Sequence, residues 1–126
     1  MRTRPLTILV VDDIVDSADS MALLLRLYGY EVYVAHSCTD ALAVVTVHIP
    51  DVVLMDLGLP DLDGYETAKR IGAKLTKPPL FVAVTGYGQE TYHDRSRQEG
   101  FDRHFVKPVD LAELADYLAL CERTLA

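Results

Sequence analysis

Five short apolar runs recur along the chain, "LTILVV" (6–11), "EVYVA" (31–35), "DVVLM" (51–55), "LFVAV" (80–84) and "RHFV" (103–106), with helix-like segments between them. Alternation of this kind predicts βα repeats around a parallel sheet whose strands are covered on both faces. The 126 residues amount to a single domain spanning 1–126, long enough to bury about two-thirds of the unfolded surface in one core. No repeat, low-complexity tract or linker interrupts it.

Between the strands, the first helix is predicted to turn Met21, Leu24, Leu25 and Tyr28 inward and to stop at Gly29, a suitable left-handed terminator. The second opens at Ser37 or Thr39 and carries Ala41, Leu42, Val44 and Val45. A third follows Gly64 with Ala68, Ile71 and Leu75 at helical spacing, and the last begins at Asp110, which stands in a capping-box relation to Glu113 and precedes Leu111, Leu114, Leu118 and Cys121. A fourth helical segment, "GQETYHDRSRQEG", has almost no apolar face beyond Tyr92 and is expected to be weakly anchored.

Composition excludes several functions. With 19 acidic and 12 basic side chains the formal charge is -7, which repels nucleic-acid backbones and anionic lipid. The start "MRTRPLTILVV" imitates a signal peptide, but its apolar run ends at Asp12 without a small-residue cleavage site. No run approaches the roughly 20 apolar residues a membrane helix needs. Cys38 and Cys121 form no C-x-x-C pair, and His36, His48, His93 and His104 lack metal-ligand spacing. A reduced, cytoplasmic protein is the expectation, without nucleic-acid or membrane partners.

Polar residues follow the strands in a telling order: Asp12 and Asp13 after the first, Asp56 after the third, Thr85 after the fourth, Lys107 after the fifth. In an open parallel sheet ligands bind outside the carboxyl ends of the strands, where strand order reverses, so all five should converge on one edge. Asp56 is expected at the exposed end of its strand. Any one of these residues alone reads as a turn former or helix cap; the conjunction points to chemistry. Three carboxylates repel one another unless a cation sits among them, and an all-oxygen donor set favours Mg²⁺. A divalent ion, a lysine and a threonine hydroxyl together suit a transferred phosphoryl group, with Asp56 as nucleophile.

With "VVDD", "LMDLGLPDLDG", "VTGYG" and "FVKP" in this order and spacing, the chain resembles the receiver domains of two-component response regulators over essentially its whole length. The resemblance implies a flavodoxin-like (βα)5 three-layer α/β sandwich with strand order 2-1-3-4-5. It further implies that Asp56 accepts a phosphoryl group from a phosphohistidine on a sensor histidine kinase or a histidine phosphotransfer protein. Asp13, Asp56 and the backbone carbonyl of Gly58 would bind Mg²⁺, with Asp12 acting through a coordinated water. Thr85 and Lys107 would each hold a phosphoryl oxygen, and the peptide before Pro108 would be cis. Phosphorylation would then alter the surface of the fourth helix, fifth strand and fifth helix. A switch of this kind phosphorylates and dephosphorylates itself without being a turnover enzyme.

Three departures from the family pattern stand out. His104 occupies the fifth-strand position where an aromatic switch residue is usual; it reads either as a tolerated polar residue on the strand or as the switch residue itself, which would make the output pH-sensitive. Gly58 and Tyr87 occupy the two positions that tune acyl-phosphate hydrolysis, from which modest autodephosphorylation is expected. Ile14 stands where a polar residue is common. The output is expected to be a separate protein or a fused module; the runs "GYGQ" and "GFDRHFVKPVD" look most like receivers attached to hybrid sensor kinases or enzymes, which favours the fused module. An aspartyl-phosphate phosphatase would need an acid two residues beyond the nucleophile, where this chain has Gly58, and a flavin or nucleotide site would need a Gly-rich loop in place of "VDDIVDS". A phosphate-independent pseudo-receiver is the remaining alternative.

Overall fold

The structure is a computed structural model that describes residues 4–58, 63–86 and 100–125. Strands β1 (Thr7–Val11), β2 (Glu31–Ala35), β3 (Val52–Asp56), β4 (Leu80–Thr85) and β5 (Arg103–Val106) form one parallel sheet in the order β2-β1-β3-β4-β5. Four helices are described: α1 (Val15–Leu27), α2 (Cys38–Val44), α3 (Gly64–Lys74) and α4 (Leu111–Leu125). This is the expected flavodoxin-like α/β sandwich. No described helix is long and apolar enough to cross a membrane.

Because successive strand residues face opposite sides, each apolar strand feeds two cores at once. Leu9, Val11, Val53 and Met55 pack with Ala41 of α2 and with Ala68 and Ile71 of α3. Ile8, Val10, Val52 and Leu54 pack on the other face with Ala18, Ala22 and Leu25 of α1 and with Leu114, Leu118 and Cys121 of α4. Each fully buried Leu or Ile contributes about 1.5–3 kcal/mol relative to exposure. This layering explains why the strand segments read as continuous apolar runs.

Local signals set the helix boundaries. Ser37 Oγ accepts from Asp40 N at 3.0 Å and opens α2, and Asp63 Oδ1 accepts from Tyr65 N at 2.8 Å and opens α3. Asp110 Oδ1 takes both Ala112 N and Glu113 N at the start of α4. Gly29, at φ +96°, ends α1 as its position suggests. The buried face of α1 differs from the periodicity reading. Ala18 and Ala22 join Leu25 against the sheet, while Tyr28 lies exposed at the C-cap. Small side chains let this helix approach the strands, and the larger neighbours are turned partly outward. The fourth helical segment expected from the sequence falls outside the described residues apart from Gly100.

Candidate functional site

Strand order reverses between β1 and β3, and the carboxyl ends of these two strands deliver the acidic residues. Asp12 follows Val11, and its Oδ1 accepts from Ile14 N at 2.9 Å, so the carboxylate is fixed by the turn that leads into α1. Asp56 is the last residue of β3, and its Oδ1 accepts from Gly58 N at 2.8 Å. Asp56 is only 8% exposed, not at an exposed strand end as the sequence suggests. The ladder continues past it, with Leu57 N donating to Val84 O at 3.1 Å, so Asp56 is not the last paired residue at this edge.

Asp13 is exposed and Asp12 buried, yet one carboxylate oxygen from each, together with one from Asp56, fall within 4.8 Å of one another. Lys107, beyond β5, reaches this cluster. Its Nζ donates to Asp56 Oδ2 at 3.1 Å and to Asp12 Oδ2 at 3.3 Å. Burial alone would lower the Lys107 ammonium, but its hydrogen bond and charge attraction to Asp56, reinforced by Asp12, leave it raised. The Lys107–Pro108 peptide is cis.

Three carboxylates against one ammonium leave an excess of negative charge, and every available ligand atom is oxygen. Such a donor set fits a hard divalent cation. The backbone carbonyl of Gly58 lies in the turn that Asp56 closes, where a Cβ on Gly58 would stand 3.4 Å from Asp56 Oδ1.

Thr85 ends β4 and is 1% exposed. Lys107 N donates to Thr85 O at 2.7 Å, tying the two strand ends together. The Thr85 hydroxyl lies 2.7 Å from His104 Nε2, a partnership the sequence did not reveal because it depends on the register that sets His104 beside Ala83. Tyr87 lies outside the described residues.

An apolar cleft of about 460 Å³ runs from this cluster along α1, lined by Asp12, Asp56 and Lys107 together with Ser17, Met21 and Val109. Sequence reasoning gives no site role to Ser17, Met21 or Val109, nor to His36, whose Nδ1 sits 3.1 Å from the backbone carbonyl of Asp12. His36 directly follows β2, the strand beside β1, so the strand order was the signal that could have found it.

The profile of the response regulator receiver domain matches residues 8–119. The chain belongs to this family. Sporulation initiation phosphotransferase F of Bacillus subtilis is 32% identical over 109 residues, which cover 86% of this receiver and 87% of that protein. Transcriptional regulatory protein ZraR of Salmonella typhimurium is 35% identical over 119 residues, or 94% of this receiver but only 26% of the longer protein. A crystal structure of a CheY-like response regulator receiver domain protein from Methanospirillum hungatei superposes with a TM-score of 0.80 at 30% identity, covering 95% of this chain and 98% of that one. Membership gives the cluster a context: it lies at the switch point of a receiver sheet, the place where open α/β folds bind their ligands.

Proposed function

We propose that this receiver is a phosphoacceptor switch in which Asp56 takes a phosphoryl group from a phosphohistidine of a sensor histidine kinase or a histidine phosphotransfer protein. The observation that carries the proposal is the convergence on buried Asp56 of two further carboxylates and the Lys107 ammonium. In the transfer, an Asp56 carboxylate oxygen forms the new O–P bond while the P–N bond of the donor breaks, and the departing imidazole takes up a proton. Hydrolysis of the acyl phosphate by water regenerates Asp56, so the domain resets without turning over an external substrate.

Asp12, Asp13, Asp56 and the Gly58 carbonyl would hold Mg²⁺, with Asp12 acting through a coordinated water. The ion would offset carboxylate charge and stabilise the phosphoryl oxygens. Lys107, hydrogen-bonded to Asp56 Oδ2, would follow charge onto a phosphoryl oxygen, and the Thr85 hydroxyl would donate to another. The setting is the cytoplasm, and the output is a separate protein or a fused module that reads the surface around β5 and α4.

Intact mass after incubation with acetyl phosphate, with and without Mg²⁺, tests this reading. A single Mg²⁺-dependent phosphoryl adduct that Asp56→Asn abolishes is expected. Failure to form the adduct, together with failure to bind beryllofluoride in the presence of Mg²⁺, would replace the switch by a phosphate-independent binding module.

A further inference from the structure

A hydroxyl has one hydrogen to give, and in this receiver the Thr85 hydroxyl has two claimants. The first is present in the structure: Thr85 Oγ1 and His104 Nε2 are 2.7 Å apart. The second is the phosphoryl oxygen of the proposed function, which can only accept. When the imidazole is neutral with its hydrogen on Nδ1, Nε2 is an acceptor and consumes the hydroxyl hydrogen. When Nε2 carries a hydrogen, as it must in the imidazolium, the direction reverses, and Nε2–H donates to Oγ1, freeing the hydroxyl hydrogen for the phosphoryl group.

We propose that His104 is a positioning residue that acts through Thr85, so that loading a phosphoryl group on Asp56 draws a proton onto His104. The inference rests on the phosphoacceptor reading of Asp56 and adds to it a direction of pH control: the loaded state is favoured as pH falls through the range where a histidine titrates.

Among the described residues, the charged groups about His104 lie on α3, on β5 and at the strand ends. His104 is half-buried on β5 and shares a sheet face with Phe81 and Ala83 of β4, on which α3 packs. Among the described residues, the charged side chains of α3 are Glu66, Lys69, Arg70 and Lys74, of which Glu66 and Arg70 pair with each other. Lys69 and Asp102 line a cleft beside Phe81, and Asp102 also accepts from Phe81 N. Arg103 is turned to the opposite face, over the rings of Phe105 at 4.9 Å and Tyr117 at 5.5 Å. Toward the strand ends stand Asp56 and Asp12, each accepting a hydrogen bond from Lys107 Nζ. The loaded group would add negative charge on the Thr85 side, and this favours the doubly protonated ring over a mere transfer of its hydrogen from Nδ1 to Nε2.

The test is a pH titration of the His104 ring by NMR, with Mg²⁺, with and without beryllofluoride, paired with beryllofluoride affinities at pH 6 and pH 8. The His104 midpoint is expected to rise on loading by about 0.5–1 unit. By linkage, the affinity ratio between the two pH values should then exceed that of His104→Phe by about threefold to tenfold. His104→Gln, which offers an N–H donor at every pH, should show no such excess. Thr85→Ser should keep the coupling and Thr85→Val should lose most of it, retaining only the direct attraction of the loaded charge for the ring. If either His104 variant fails to fold, the other variant and the wild-type ring decide. An unchanged His104 midpoint, or a midpoint shift that survives undiminished in Thr85→Val, overturns the inference and leaves the phosphoacceptor reading standing. Absence of beryllofluoride binding at every pH overturns both.

Discussion

Lys107 Nζ stands 3.1 Å from Asp56 Oδ2 and 3.3 Å from Asp12 Oδ2, so a side-chain cation already shares the oxygens that a divalent ion would use. The two cations compete, and Lys107→Met should tighten Mg²⁺ binding. Relief of an ion-pair competition of about 1 kcal/mol corresponds to roughly a fivefold lower Kd. Isothermal titration with Mg²⁺ measures it, and an unchanged or weakened affinity would show that Lys107 and the ion occupy separate places. The same variant should form the acetyl phosphate adduct more slowly, because the phosphoryl oxygens lose a compensating charge.

Two glycines, Gly58 just after Asp56 and Gly64 at the start of α3, should respond very differently to alanine. A Cβ on Gly64 would lie 3.0 Å from both Cα and Cδ2 of Leu57 and 3.3 Å from Asp56 O, and two of these three atoms are backbone that cannot step aside. Gly64→Ala should therefore push the start of α3 away from the Asp56 turn and cost about 1–3 kcal/mol. On Gly58 the added carbon meets only Asp56 Oδ1, at an ordinary 3.4 Å, so Gly58→Ala should stay within about 0.5 kcal/mol of wild type. Urea denaturation of the two variants checks the contrast, and equal losses would refute it.

The sheet was legible in the sequence because Val52, Val53 and Leu54 are buried on alternate faces, leaving an uninterrupted apolar run that no half-exposed strand would show. The acidic cluster was legible for a related reason: in a parallel sheet every strand ends at the same edge, so chain order alone brings Asp12, Asp56 and Lys107 together. What depended on register or on close approach was not. The Thr85–His104 contact requires knowing that His104 lies beside Ala83. The inward face of α1 was misjudged because a periodicity weighted by side-chain size favours Tyr28 over Ala18 and Ala22, although small residues are what lets a helix sit close to a sheet.

Far from the site, Asp51 anchors the start of β1. Its Oδ2 accepts from Thr7 N at 2.8 Å and from Arg4 Nη1 at 3.1 Å, and Thr7 is buried. Asp51→Ala would leave the Thr7 N–H without its carboxylate acceptor, at a cost of about 1–3 kcal/mol, whereas Asp51→Asn keeps an amide oxygen there and should lose less than about 1 kcal/mol. Since the site depends on the far end of β1, Mg²⁺ affinity should be nearly unchanged in both. A urea midpoint for the asparagine variant as low as that for alanine would show that charge, not the hydrogen bond, holds this corner.

Tyr117 predicts how the fold fails in alkali. Burial pushes its phenol above the ordinary value of 10.0, and a hydrogen bond with Cys121 raises it further. A group whose pKa is raised by folding contributes stability that is complete below its unfolded value and is lost as pH climbs through the folded one, because the unfolded chain releases its proton first. Wild-type stability should therefore decline above about pH 10 as the unfolded phenol ionises. Tyr117→Phe removes this titration. The variant starts from a lower stability at pH 8, having lost the bond with Cys121, but should lose less than wild type between pH 8 and pH 10.5. Paired urea denaturations at the two pH values decide it: parallel declines would mean that Tyr117 does not titrate with unfolding, and a steeper decline in the variant would reverse the sign argued here.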